Sequence, residues 1–125
     1  MSFVLDLSGT YRWPVPFDVP EDGRHRKMSF DGEFKRLPQD RVNEIYAAMQ
    51  ERLVALQSGE SSPDLIDDRK IADEVLCGWT GILDAEGEEI SYSDAIKAKL
   101  LNTPAVAAAI VTAWHDSQRG GKKKP

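Results

Sequence analysis

Cysteine is nearly missing from the chain. Cys77 stands alone, which excludes an internal disulfide framework and any zinc cluster built on thiolates and suits a reducing compartment. Histidine is as scarce: His25 and His115 are ninety residues apart, with no second nitrogen or sulfur ligand near either, so no metal site is expected and both are read as surface residues. No apolar run approaches the roughly 18 residues of a membrane span. The start, Met1-Ser2-Phe3-Val4-Leu5-Asp6, lacks the basic region and long apolar core of a secretory signal. Positive charge is not in excess: 16 Lys and Arg face 21 Asp and Glu, a net charge of −5, so no strong field draws the chain to nucleic acid or an anionic membrane. Internal repeats with periods of about 20 to 50 residues are absent.

What is present is a globular balance, 41% hydrophobic and 30% charged over 125 residues. A domain of this size buries roughly two thirds of its unfolded surface and needs no staples. The expectation is one soluble, intracellular domain. Charge is segregated. Residues 24–36 carry five basic and two acidic groups, residues 60–94 two basic and eleven acidic, and residues 95–125 six basic and one acidic. Such alternation lets the basic region of one copy meet the acidic region of another; the plainer alternative is a solvated surface without particular partners.

Residues 10–20 alternate, with Tyr11, Trp13, Val15, Phe17 and Val19 on one side and Arg12, Pro14, Pro16 and Asp18 on the other, the pattern of a strand with one buried face. Pro14 and Pro16 share a parity and cannot donate to a ladder, which places this strand at a sheet edge. Pro20-Glu21-Asp22-Gly23 supplies a turn, and a second strand from about Arg24 to Phe34 sets Met28, Phe30 and Phe34 on one face with Gly32 between them. A lone hairpin is marginal in water, so that face requires a cover. Phe3, Val4, Leu5 and Leu7 are candidates for a short third strand. From Pro38 the period changes to about 3.6: Val42, Ile45, Tyr46, Met49, Leu53 and Leu56 form the stripe of a helix that begins near Pro38 and stops at Ser58-Gly59. Ser62-Pro63-Asp64 opens a second helix running to about Gly78 and burying Leu65, Ala72, Val75, Leu76 and Trp79. Residues 78–89 read as a loop with two short extended segments. Ser91 with Asp94 opens a third helix through Leu101. Thr103-Pro104 opens a fourth, with Val106, Ala107, Ile110, Val111 and Trp114 as its stripe and Gly120-Gly121 as its end. The fold class is therefore α+β: an N-terminal β-hairpin of two or three antiparallel strands packed against about four α-helices. The single domain spans 1–121, with the hairpin at about 10–35, the helical part at about 38–119, and a disordered basic tail at 122–125.

Signatures of chemistry are few. In Asp84-Ala85-Glu86-Gly87-Glu88-Glu89 the sixth position is Glu89, not the Gly that a calcium loop of the EF-hand type needs. Gly59-Glu60-Ser61-Ser62-Pro63 lacks the closing Gly of a nucleophile elbow. Cys77 falls on the apolar side of the second helix, with no His nearby, as a packing thiol does. Gly78 with Gly81, and Gly120 with Gly121, lack the strand before and helix after that a phosphate loop needs. The helix opening Pro104-Ala105-Val106-Ala107-Ala108-Ala109 offers no Arg, Lys, Asn or Gln to base edges. No enzyme activity and no cofactor are expected. Surface for other proteins remains. Trp79, Val106, Ile110 and Trp114 are candidate partner-binding residues; the alternative for each is the core, the commoner place for a tryptophan. Ala105, Ala108, Ala109 and Thr112 offer a smooth second face on the last helix. Lys122, Lys123 and Lys124 complete the candidate set; with the last two helices they also support an alternative, a small nucleic-acid-binding regulator.

Three segments carry a resemblance: Phe30-Asp31-Gly32-Glu33-Phe34-Lys35-Arg36-Leu37-Pro38, then Glu74 to Gly87 with Gly78-Trp79-Thr80-Gly81-Ile82-Leu83-Asp84 at its centre, then Pro104-Ala105-Val106-Ala107-Ala108-Ala109-Ile110. Together with the opening hairpin they make roughly residues 10–121 resemble the tail assembly chaperones of long-tailed bacteriophages and prophages. The resemblance implies a non-enzymatic protein of the infected bacterial cytoplasm that binds the tape-measure protein and helps recruit tail-tube subunits, self-associates along its client, and is absent from the finished virion. It also implies a longer product made by ribosomal frameshifting, with which the codons for Gly120-Gly121-Lys122-Lys123-Lys124 are compatible.

Overall fold

The computed structural model describes residues 9–59, 67–103 and 105–119, and its first hairpin takes its register from its tip. Asp22 (φ 48°) and Gly23 (φ 81°) are both left-handed, which makes a two-residue turn of the type that matches strand twist. Asp tolerates this conformation and Gly adopts it freely. The turn joins strand β1 (Thr10–Glu21) to β2 (Arg24–Lys35) and sets an unbroken ladder from Glu21↔Arg24 to Thr10↔Lys35. Counting from that closing pair, odd residues of β1 exchange hydrogen bonds with β2, and even residues turn their N–H and C=O groups away from it. Pro14, Pro16 and Pro20 are all even. They therefore cost no ladder bond and remove three donors from the outer edge. As expected from the prolines, β1 is an edge strand, in a three-stranded antiparallel sheet of order β1-β2-β3.

A third strand comes from a stretch that the sequence pattern assigned to the end of a helix and a loop. Phe3, Val4, Leu5 and Leu7 lie outside the described residues; β3 is Leu76–Thr80, on the far side of β2. The second helix, expected to run to Gly78, ends at Val75, so α2 spans Asp68–Val75. Pairing explains the switch: Asp31↔Thr80, Gly32↔Trp79 and Glu33↔Gly78 satisfy an edge of β2 that a helix would leave open. Gly78 sits close against Glu33: a Cβ there would meet the movable Oε1 at 2.7 Å and the Glu33 Cβ at 3.3 Å, so a larger residue would have to displace the Glu33 side chain. Cys77 is consequently half-buried on a strand, at the irregularity between Glu33 and Phe34, and not on a helix. Leu76 and Trp79 are buried all the same.

Four helices complete the α+β fold. Helix α1 spans Gln39–Gln57, α3 Asp94–Leu101 and α4 Val106–Gln118. Pro38 precedes the first residue of α1, and its carbonyl accepts from Arg41 and Val42 N–H at 3.0 and 3.1 Å. The expected cap at Ser62-Pro63-Asp64 lies outside the described residues; α2 is capped by Asp67, whose Oδ1 accepts from Lys70 N–H at 2.9 Å. The cap of α3 is Ser93 and not Ser91, with Ser93 Oγ accepting from Ile96 N–H at 3.2 Å. Lys97, only 8% exposed, crosses from α3 and donates from Nζ to the Asp73 carbonyl oxygen at 2.6 Å. This places a cation at the C-terminal end of α2, where the helix dipole favours it. The stripe of α4 is as the period predicted: Val106, Ala107, Ile110, Val111 and Trp114 are all buried. Pro104, Gly120, Gly121 and the basic tail 122–125 lie outside the described residues. The core gathers Val15, Phe30 and Phe34 from the hairpin, Val42 and Ile45 from α1, Ile71 and Val75 from α2, and the inner side of α4.

A candidate binding surface along helix α1

Helix α1 is longer than the core it covers. Its 19 residues extend about 28 Å at 1.5 Å per residue, yet only Val42 and Ile45, both in its first half, are buried. The apolar stripe continues through Tyr46, Met49, Leu53 and Leu56 at spacings of three and four, on the side that faces the core further back. There it overhangs. Leu53 is 50% exposed, Leu56 57%, and Val54 beside them 50%. Between this overhang and the end of α4 runs an open groove of about 510 Å³, lined by Tyr46, Met49, Gln50, Arg52, Leu53 and Leu56 from α1 and by His115 from α4. Contiguous exposed apolar surface on one helix side is the usual mark of an interaction site.

Polar clamps on both halves of α1 hold the groove wall in place. Arg41 grips Glu74 of α2 with both arms of its guanidinium, Nε to Oε2 and Nη2 to Oε1, each at 2.6 Å, and reaches Glu44 at 2.9 Å. Arg52 donates to Asp68 at 3.0 Å. Between them the Tyr46 ring lies 5.6 Å from that of Trp114 and 5.4 Å from that of His115, and burial pushes its hydroxyl pKa up. The Arg41 hydrogen bonds hold the Glu74 carboxyl below its ordinary value of 4.5, against an opposing effect of burial. A depressed native pKa stabilises the fold above the unfolded value and is lost as pH falls through the native one. Urea midpoints of the wild type should therefore exceed those of Glu74→Gln at pH 7, with the gap closing below about pH 4. Equal midpoints at pH 7, or a gap that does not narrow as pH falls below the unfolded value, would refute the clamp.

Of the residues singled out in the sequence, Trp79 (6% exposed), Val106 (2%), Ile110 (0%) and Trp114 (0%) all sit in the core and offer no surface to a partner in this conformation. Trp79 donates from Nε1 to the Ile90 carbonyl at 2.8 Å. Lys122, Lys123 and Lys124 lie outside the described residues. On the second face of α4, Ala105, Ala108 and Thr112 are exposed and Ala109 is half-buried. Asp84 uses Oδ1 to accept from Glu86 and Glu88 N–H at 2.9 and 3.0 Å, which closes the acidic turn on its own backbone. Among the described residues no cluster of His, Cys, Asp and Glu could hold a metal, and no helix is long and apolar enough to cross a membrane. Burial raises the Cys77 thiol pKa above 9.0, with the nearby Glu33 adding to the shift, so the reactive thiolate is rare at neutral pH. Ellman's reagent at pH 7.5 should modify it slowly in native protein and rapidly in urea; equal rates would overturn that assignment.

Sequence reasoning had Met49, Leu53 and Leu56 on a core-facing stripe and His115 on the surface; the groove they form together was missed. Its signal was the length of the stripe, about four turns of α1, with no matching apolar segment assigned opposite its second half. Compared with protein-family models, curated proteins and solved structures, the chain matches none.

Proposed function

We propose that the chain is a non-enzymatic assembly chaperone, of the kind that binds the tape-measure protein of a long-tailed phage or prophage and helps bring tail-tube subunits to it. The observation that carries the reading is the overhang of α1: a helix braced by Arg41–Glu74 and Arg52–Asp68 that leaves Met49, Leu53 and Leu56 beside an open groove. A long helical client with apolar residues every three or four positions would lay them in such a groove. The segments behind the resemblance serve the scaffold: Phe30–Phe34 lies in β2 and Gly78-Trp79 in β3, paired at Gly32↔Trp79. In this reading the protein acts in the host cytoplasm, binds tape-measure and tube proteins, and leaves before the virion is complete. The rival, a nucleic-acid-binding regulator, gains no support from the exposed first half of α4, where Ala105, Ala108 and Thr112 offer one hydroxyl and no Arg, Lys, Asn or Gln. Co-expression with the tape-measure protein of the same phage or prophage, followed by co-purification and titration of the purified pair, tests the proposal. A defined complex supports it, and failure of soluble tape-measure protein to bind at micromolar concentrations would reject it.

A further inference from the structure

We propose that the N-terminal segment from Phe3 to Leu7 of this same chain lies in the groove between α1 and α4 when no client is bound, as a built-in competitor for the site. The proposal rests on reading that groove as the client site, and four observations point to this occupant.

The first is where the segment joins the fold. Tyr11, at the start of β1, meets the last turn of α4 through its hydroxyl, which lies 2.7 Å from Ser117 Oγ and accepts from Gln118 Nε2 at 2.9 Å. His115, which lines the groove, is within one helical turn of both. Gly9, with φ 99°, sits at the junction in a left-handed conformation that can redirect the chain. The second is reach. Eight residues extend roughly 26 Å, whereas the groove-lining part of α1 from Tyr46 to Leu56 is about 15 Å long. The third is chemistry. Phe3, Val4, Leu5 and Leu7 are apolar, as are Met49, Leu53 and Leu56 in the groove wall, and Asp6 would enter a groove whose basic lining residues are Arg52, which also pairs with Asp68, and His115, with no carboxylate lining it among the described residues. The fourth concerns the competing position along the outer edge of β1. That edge has lost three N–H donors to Pro14, Pro16 and Pro20, and pairing there would set Phe3, Leu5 and Leu7 together on one side of the sheet. If that side were the outer one, their neighbours would be Arg12, Asp31 and Glu33.

Proximity tests the inference without any client. In a Cys77→Ser background, Leu5→Cys is combined with Leu53→Cys in the groove or with Arg24→Cys at the hairpin tip, about 36 Å along β1 from Thr10, and disulfide formation is followed under oxidised glutathione. The tether gives the groove pair an effective concentration of about 1 mM. It should close within one chain, at a rate independent of protein concentration and roughly 100-fold faster than cross-linking between chains at 10 µM. Closure no faster than the Arg24→Cys pair overturns the proposal, and so do disulfide dimers from the groove pair, which would make a second copy the occupant. Deleting residues 1–8 supplies an independent readout: fluorescence of the apolar dye ANS should rise several-fold with the cooperative melt retained, and no rise overturns the proposal. Because neither measurement contains a client, failure of this inference and failure of client binding are told apart.

Discussion

Replacing Trp114 by Ala is expected to lower stability by about 3–5 kcal/mol, a large part of the roughly 6–19 kcal/mol that a chain of this length commands, and to lower the melting temperature by roughly 10–20 °C. Trp114 is fully buried and joins three elements. It belongs to α4, it packs in the core with residues of the sheet and α2, and its ring touches Tyr46 of α1. Truncation would open a cavity where all of them meet, and a close-packed interior collapses only in part. Replacing Trp114 by Phe should behave quite differently. Trp114 Nε1 is buried without a hydrogen-bond partner among the described residues, and an unmet donor costs about 1–3 kcal/mol. Phe sacrifices some contact area and removes that cost, so a net change within about 1.5 kcal/mol is expected. Denaturant unfolding of both variants checks the contrast. A Phe variant as unstable as the Ala variant would mean that the indole N–H is satisfied in solution and that packing alone does not account for Trp114.

The hairpin was legible because local rules agreed with one another. Alternation, the Asp-Gly turn and the parity of the prolines all demand the same register, and nothing distant is needed to settle it. Helices α1 and α4 were legible for the same reason, through their period. The step from α2 into β3 was not. Ile71, Val75 and Leu76 continue a helical spacing, and only the open edge of β2, some forty residues earlier in the chain, makes Leu76–Thr80 extended. That is tertiary context overriding local preference. The glycine at 78 was visible but ambiguous: it reads as a helix stop until Glu33 is known to lie against it.

Charge segregation shows a similar limit. The acidic stretch 60–94 and the basic regions around it suggested contacts between copies. Within one chain, Glu74 and Asp68 already pair with Arg41 and Arg52 of α1, and Asp73 lies 3.3 Å from Lys97. These contacts brace helices against one another, so part of the pattern belongs to folding and only the remainder is available for self-association. The two clamps on α1 also explain how a helix can keep the Leu53 and Leu56 end of its apolar stripe uncovered without peeling away. Side-chain pairs near the surface contribute little one by one, but here they act beside the buried Val42 and Ile45 and fix the angle of the overhang.

Loss of client binding without loss of folding is the outcome expected for the double variant Leu53→Glu/Leu56→Glu. Both side chains are at least half exposed, and Glu is a strong helix former, so each substitution should change stability by no more than about 0.5 kcal/mol. At an interface the effect is reversed in scale. Apolar anchors in a groove contribute about 2 kcal/mol or more each, and a carboxylate forced against an apolar client must also be desolvated. On the proposed function, affinity for the tape-measure protein should fall roughly 10²- to 10³-fold, within the limits of additivity for neighbouring sites. Ala47→Glu, an exposed position on the opposite side of α1, introduces the same charge on the same helix and should leave affinity within a factor of about 2 of wild type. Calorimetric titration with purified client, paired with thermal melts of all three proteins, separates the cases. If the double variant binds as tightly as wild type, the overhanging half of α1 is not where the client docks; if Ala47→Glu binds as weakly as the double variant, added charge and not the groove accounts for the loss.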